Sequence, residues 1–193
     1  YHLLDGKWQL SLSEQIINLI HQDQNDSLWC GTSQGLYRFD SEERILETDG
    51  TVNCLNQLAD GNLLVGGNTG LKLANLFETS QIWQLQPKVG KLILNIFKAS
   101  DGTLWCVSDT GISKYDGVNW MKQVDWSRST IEDWKGLIYE AKDGTMWFDS
   151  YSYQNGIAKR HKIGGSYYFV GEANNDEIWA GGGSGLVHYD GSE

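Results

Sequence analysis

Three features of the sequence predict an all-β chain of small four-stranded sheets stacked about an axis, a β-propeller. The first is one phrase (turn, apolar strand with a bulky anchor, second turn) written five times. It reads NDSLWCGTSQG (25–35), DGNLLVGGNTG (60–70), DGTLWCVSDTG (101–111), DGTMWFDSYSYQNG (143–156) and NDEIWAGGGSG (175–185). The second is the period. The anchors Trp29, Leu64, Trp105, Trp147 and Trp179 lie 35, 41, 42 and 32 residues apart, the length of four short antiparallel strands with their turns. The third is turn chemistry. Asp-Gly between apolar runs is the strongest short-range hairpin signal, because both central positions of a type I′ turn need φ > 0.

Taken in order, residues 1–12 (YHLLDGKWQLSL) are the tail of a repeat, since Asp5-Gly6-Lys7-Trp8 matches Asp116-Gly117-Val118-Asn119-Trp120. Repeat one (16–48) holds strands at 16–22, 28–32, 35–40 and 44–48, each of strand length and bounded by turn residues. Repeat two (52–85) places them at 52–58, 62–66, 70–74 and 81–85, and repeat three (93–124) at 93–99, 103–107, 111–116 and 119–124. Repeat four (137–161) has strands at 137–141, 145–148 and 156–161, and so phased it leaves no room for an outer strand before repeat five. Repeat five (166–190) runs 166–172, 177–180 and 185–190. A four-stranded blade cannot bury both faces alone, so each anchor should fill the space between successive blades, worth roughly 1.5–3 kcal/mol per side chain. Both ends of the chain stop at the same phase of the repeat. Residues 8–12 are therefore expected to supply the outer strand of the last blade and close one domain, 1–193, into a five-bladed ring without a free edge.

Composition narrows the function. With 15 Lys+Arg against 25 Asp+Glu the net charge is −10, which speaks against unaided binding to nucleic acid or an anionic membrane. No apolar run approaches the roughly 20 residues of a membrane span. Tyr1 in place of an initiator methionine marks a processed or trimmed chain. Cys30, Cys54 and Cys106 are an odd set without Cys-x-x-Cys spacing, so they read as buried thiols rather than a zinc site. The four histidines (His2, His21, His161, His188) lack ligand spacing. Asp23-Gln24-Asn25-Asp26 opens like a calcium loop but lacks the later Gly and the bidentate Glu. No catalytic residue, metal or cofactor is expected.

The phrase Asp-Gly-x-Leu-Trp, four or five residues, then Gly-Leu-x-x-Tyr/Phe-Asp resembles the two-component regulator propeller repeat. Residues 101–116 match it closely, 25–40 and 175–190 well, 60–74 and 143–161 loosely. The resemblance implies the extracytoplasmic sensor region of a bacterial hybrid histidine kinase, periplasmic or extracellular, binding a ligand without enzymatic chemistry. Such regions often respond to glycan fragments, so a carbohydrate-like ligand is the leading expectation. The chain departs from that family in carrying fewer repeats and no transmembrane, kinase or DNA-binding segment, so signalling would come from elsewhere. Two rivals stand beside it. A rigid disc with variable loops also serves as a protein-interaction scaffold. The phrase at 143–148 (DGTMWF) is also similar to the repeats of streptogramin lyase, an enzyme that would need a His and acidic metal site. Fold alone does not choose among them.

Two sets of residues are candidates for a site. Seven positions before each anchor stand Gln22, Gln57, Lys98, Glu140 and Glu172, polar residues that would ring one mouth of a central channel if the innermost strands line the axis. Paired carboxylates there would suit glycoside hydrolysis, whereas the plainer reading is that residues preceding a turn are wet. The second set is aromatic. Trp147 to Gly156 spans nine residues where the other copies span six, and Trp120 to Trp147 spans 27 against 21 (Trp8 to Trp29) and 22 (Trp83 to Trp105). If both expansions open on one face, Trp126, Trp134, Tyr151 and Tyr153 form a wall with Arg128 and Asp149 as polar handles, an arrangement suited to sugar rings. The plainer reading is a satellite cluster packed beneath a long loop.

Overall fold

The computed structural model describes residues 2–4, 7–9, 15–40, 43–74, 84–86, 89–126, 136–149, 151–161, 167–174, 176–183 and 185–191. They form only β-structure and turns, in one two-stranded ribbon, four four-stranded sheets and one three-stranded sheet, all antiparallel. No helix among them is long and apolar enough to cross a membrane.

The ribbon pairs β1 (His2–Leu4) with β2 (Lys7–Gln9). Blade one is β3 (Ile17–Gln22), β4 (Leu28–Thr32), β5 (Gly35–Asp40) and β6 (Glu43–Asp49). Blade two is β7 (Val52–Gln57), β8 (Leu63–Gly67), β9 (Gly70–Ala74) and β10 (Gln84–Leu85). Blade three is β11 (Ile93–Lys98), β12 (Leu104–Ser108), β13 (Gly111–Tyr115) and β14 (Trp120–Asp125). Blade four is β15 (Tyr139–Glu140), β16 (Met146–Phe148), β17 (Tyr151–Gln154) and β18 (Ile157–Arg160). Blade five has β19 (Tyr167–Glu172), β20 (Ile178–Gly182) and β21 (Gly185–Tyr189). Each blade is an up-and-down meander, so its strands pair in chain order.

The core lies between blades, as the anchors require. Trp29 and Leu36 of blade one pack on Val52, Leu63 and Val65 of blade two. Leu64 and Leu71 pack on Ile93, Ile96 and Leu104 of blade three, with the thiols Cys54 and Cys106 in the same cluster. Trp105, Val107 and Ile112 meet Met146 and Phe148 of blade four, and Trp147 meets Ile178 of blade five. A second device fixes the spacing. Asn18, Asn53 and Asn95 each reach from an inner strand and donate through Nδ2 to the carbonyls of Val52, Ile93 and Gly136 in the next blade, all at 2.8 Å. Asn18 and Asn53 are themselves the extra residues of β-bulges, which turn the side chain out of the pleat and toward the neighbouring backbone. All three cysteines are free and buried, and desolvation pushes the Cys54 thiol up to about 12.

Two expectations need correction. Blade four has its outer strand after all, because Asn155-Gly156 closes a hairpin of its own. Both residues hold positive φ (50° and 82°) and Gln154 pairs with Ile157, a type I′ turn. Residues 151–154, read above as loop, are the third strand, and 157–160 the fourth. The second turn of this blade is therefore not expanded: two residues lie between the paired Phe148 and Tyr151, as between Gly67 and Gly70 or Ser108 and Gly111. Completion of blade five by residues 8–12 is not seen among the described residues. Trp8 pairs with Leu3 inside the ribbon, the partner that costs least loop-closure entropy, and residues 10–12 lie outside the described set.

Candidate functional site

Three of the five polar positions seven residues before the anchors, Gln57, Glu140 and Glu172, work as fasteners between blades. In blade two, Gln57 Oε1 accepts the backbone N–H of Gln24 in blade one's first turn, at 3.2 Å. In blade four, Glu140 accepts Ser100 N–H at 2.7 Å and its hydroxyl at 2.6 Å, in the first turn of blade three. In blade five, Glu172 accepts Lys142 N–H at 2.8 Å and faces its ammonium at 3.6 Å. Lys98, an exposed ammonium that can only donate, occupies the blade-three position, and Gln22 turns back to Asp26 of its own turn, at 3.1 Å. This accounts for the polarity of the set without a channel mouth. Glu140→Ala is expected to lower stability by about 1–2 kcal/mol, read as a shift of the urea midpoint. Glu140→Gln should recover most of that, since an amide can both accept from the backbone and donate to the Ser100 hydroxyl.

The aromatic set does come together where the sequence places it, but its rings are spent on one another. The connection leaving β14 meets the turn after β16: Trp126 lies 6.0 Å from Tyr151, and Asp149, at φ 45°, accepts the N–H of Leu137 at 3.4 Å. Trp126 is only 3 % exposed and its indole donates to Ser108 O at 3.1 Å. Tyr153 stands edge-on to Trp105 at 4.9 Å and donates its hydroxyl to Gln123 Oε1 at 2.9 Å. Trp126, Tyr151 and Tyr153 thus belong to the core between blades three and four. Arg128 and Trp134 lie outside the described residues.

A cleft of about 860 Å³ opens between blades four and five, and the sequence reading missed it. Trp147, the anchor in its wall, differs from the blade-one anchor in its hydrogen bonding. In blade one, Asp23 ties its turn by accepting Asn25 N–H and Ser27 N–H and also takes the anchor's indole N–H (Trp29 Nε1, 2.8 Å). Blade four has Ala141 at the same position, six before the anchor. The buried Trp147 Nε1–H has no acceptor among the described residues. Trp147 packs against His161 (centroids 4.9 Å) and Tyr189 (5.3 Å, edge-on), and His161 Nε2 shares a 2.8 Å hydrogen bond with Ser152 Oγ. The carboxylates of Asp143, Glu172, Asp176, Glu177 and Asp190 line the cleft against two ammonium groups, Lys142 and Lys159. Lys142 also reaches Asp176 at 3.4 Å, and the Glu172 side chain beside it is 3 % exposed. Among the described residues no group of three or more His, Cys, Asp or Glu side chains is placed to hold a metal ion.

No family model matches the sequence, and no curated protein does. Solved structures do resemble the fold. The extracellular domain of the hybrid two-component system protein BT3049 from B. thetaiotaomicron superposes with a TM-score of 0.61 at 18% identity, over 96% of this chain and 29% of that one. Virginiamycin B lyase from Staphylococcus aureus, crystallised with quinupristin, gives 0.61 at 14% identity over 93% of this chain and 72% of that one. YCF48 bound to the D1 peptide gives 0.58 at 16% identity, over 94% and 66%. The chain spans 29% of the length of the BT3049 domain. At these identities the likeness is one of fold, and the fold shared by a sensor domain, a lyase and a peptide-binding protein is the propeller arrangement of successive antiparallel blades.

Proposed function

We propose that this chain is part of a non-enzymatic sensor propeller that binds a small ligand, carbohydrate-like by preference, outside the cytoplasm. The observation that carries the reading is the likeness over 96% of the chain to the extracellular domain of a hybrid two-component system, joined to the repeat phrase that led to the same family from residues alone. The geometry suits a binder. Core seams and backbone fasteners hold the blades rigid, while the connection after β14 and the turn at Asp149 are brought side by side, and loops on a rigid scaffold are where recognition concentrates. In this reading Arg128, Trp134 and Asp149 contact the ligand, while the buried Trp126 and half-buried Tyr151 and Tyr153 belong to the packing between blades three and four. Titrating a glycan panel while following intrinsic Trp fluorescence tests it. Saturable binding weakened by Arg128→Ala and by Trp134→Ala is the expected result; binding indifferent to both variants moves the site elsewhere, and no binding across the panel removes the carbohydrate reading.

Lyase chemistry is the second reading, favoured by the 0.61 TM-score to virginiamycin B lyase. The described residue nearest to such a role is His161, which is buried and already hydrogen-bonded to Ser152. Turnover of quinupristin that disappears in His161→Ala would establish it in place of the sensor reading.

A further inference from the structure

The cleft between blades four and five joins a cavity to unspent charge and an unspent donor. Its volume of about 860 Å³ falls within the range of about 300–1,000 Å³ usual for small-molecule sites. It is lined by the β15–β16 turn of blade four and the β19–β20 turn of blade five. Asp149, by contrast, lies in the β16–β17 turn, which an up-and-down meander puts at the other end of blade four.

The cleft already shows what it does to an ammonium group. Lys142 Nζ is held by Ala173 O at 3.2 Å, Asp176 at 3.4 Å and Glu172 at 3.6 Å, so the first turn of blade five is a cradle for a cation. Beside it stands Glu177, half-buried, whose carboxylate has no hydrogen-bond or ion-pair partner among the described residues. An acid withdrawn from water gains most from a partner of opposite charge. Among the described residues no three His, Cys, Asp or Glu side chains are placed to hold a metal ion, which points to an organic ammonium.

The second signal is a donor. Trp147 is 5 % exposed, and its Nε1–H has no acceptor among the described residues. In blade one the same indole N–H is directed at the residue six before the anchor, Asp23, at 2.8 Å. Ala141 takes that place in blade four, and Ala141 and Trp147 both line the cleft. An oxygen entering from the cleft would complete the bond that Asp23 completes in blade one. A ligand that answers both signals carries positive charge and hydrogen-bond acceptors in one small molecule. Ile157, Ile178 and Tyr189 add apolar wall for its carbon skeleton.

We propose that this cleft binds a polyhydroxylated amine of the amino-sugar class, its ammonium held by Glu177 with Glu172 and Asp176, and one of its oxygens accepting the Trp147 indole N–H. The site goes beyond the loop-face reading and does not rest on it, since the two lie at opposite ends of blade four.

Calorimetric titration of the full chain with three probes tests it: the glucosamine trisaccharide, its fully N-acetylated counterpart, and spermidine, which has the charge but no oxygen. The trisaccharide is expected to bind saturably and the other two at least about tenfold more weakly. Glu177→Gln should weaken the trisaccharide by about tenfold. Ala141→Asp restores the carboxylate of blade one, satisfies the indole N–H internally, and should also weaken it by about tenfold although it adds negative charge to the cleft. A bare electrostatic trap makes the opposite prediction, so unchanged or tighter binding by Ala141→Asp, with its thermal melt matching the parent's, would overturn the proposal. Equal binding of spermidine or of the acetylated trisaccharide would overturn it too, as would no binding by any probe. Trisaccharide binding lost in Trp134→Ala but kept in Ala141→Asp would put the ligand on the loop face, sinking this proposal and leaving the sensor reading in place.

Discussion

Trp105→Ala is expected to destabilise the protein by about 3–5 kcal/mol, the range for truncating a large aromatic in a packed core. Trp105 is 3 % exposed and lies between blades rather than within one. Its ring contacts Phe148 at 5.2 Å and stands edge-on to Tyr153 at 4.9 Å, both in blade four, while Lys114 of its own blade sits 5.4 Å over the ring. The loss therefore falls on the seam, and a double-mutant cycle with Tyr153→Leu should show a coupling of about 0.5–1.5 kcal/mol. A urea midpoint unmoved by Trp105→Ala would mean that the anchors do not carry the interblade core. The opposite change at the one aliphatic anchor, Leu64→Trp, should cost about 1–3 kcal/mol, because Leu64 is already buried within a cluster that includes Leu71, Ile93 and Cys106.

The second large effect is expected at Gly111. Its φ is +144°, and a Cβ there would lie 2.0 Å from the carbonyl oxygen of Val124 in β14. Backbone faces backbone, so no rotamer change relieves the contact. Gly111→Ala must open the β12–β13 turn or push the outer strand away, at a cost of about 3 kcal/mol or more once strain and lost pairing combine. Gly156 supplies the control. It also has positive φ (+82°) but nothing stands within 4 Å of a Cβ, so Gly156→Ala should cost only the conformational penalty, about 1 kcal/mol. Comparing the two denaturant midpoints separates close approach from turn geometry, and equal losses would contradict the packing at Gly111.

What the sequence made readable was whatever repeats. The anchors, the inner strands and most turns recur at fixed offsets, so one copy explains the others, and the buried environments of Trp29, Trp105 and Trp147 follow. Blade four was misread for a physical reason. Gly156 looked like the glycine that ends the second turn in the other copies, whereas Asn155-Gly156 is a sufficient hairpin signal by itself and shifts the strands around it. The fasteners were hidden differently. Ser100 and Glu140 are 40 residues apart, and nothing in either local sequence says that the carboxylate serves the preceding blade. The candidate sites were legible in part. Trp126, Tyr151 and Tyr153 were found by the lengthened spacings around them, but spacing cannot tell a ring offered to a ligand from one buried against its neighbour. The cleft between blades four and five is lined by residues drawn from 141–159 and 172–191, whose convergence no local motif announces.

The seams are not equivalent, and that matters because a blade touches only its neighbours, so stability is close to a sum over seams. Between blades two and three the fastener position holds Lys98, which has no lone pair to offer, and the seam there rests on eight buried apolar residues. Between blades three and four, and four and five, Glu140 and Glu172 add charge to the contact. That junction, pinned also by the Asn53–Ile93 hydrogen bond, leans mostly on apolar burial, weakening in the cold and tightening in kosmotropic salt, while the one between blades four and five, with its Lys142–Glu172 pair, also answers to ionic strength. A single molecule then carries separate joints tuned to separate solution variables, and a change of medium can loosen it at one place while leaving the rest clasped.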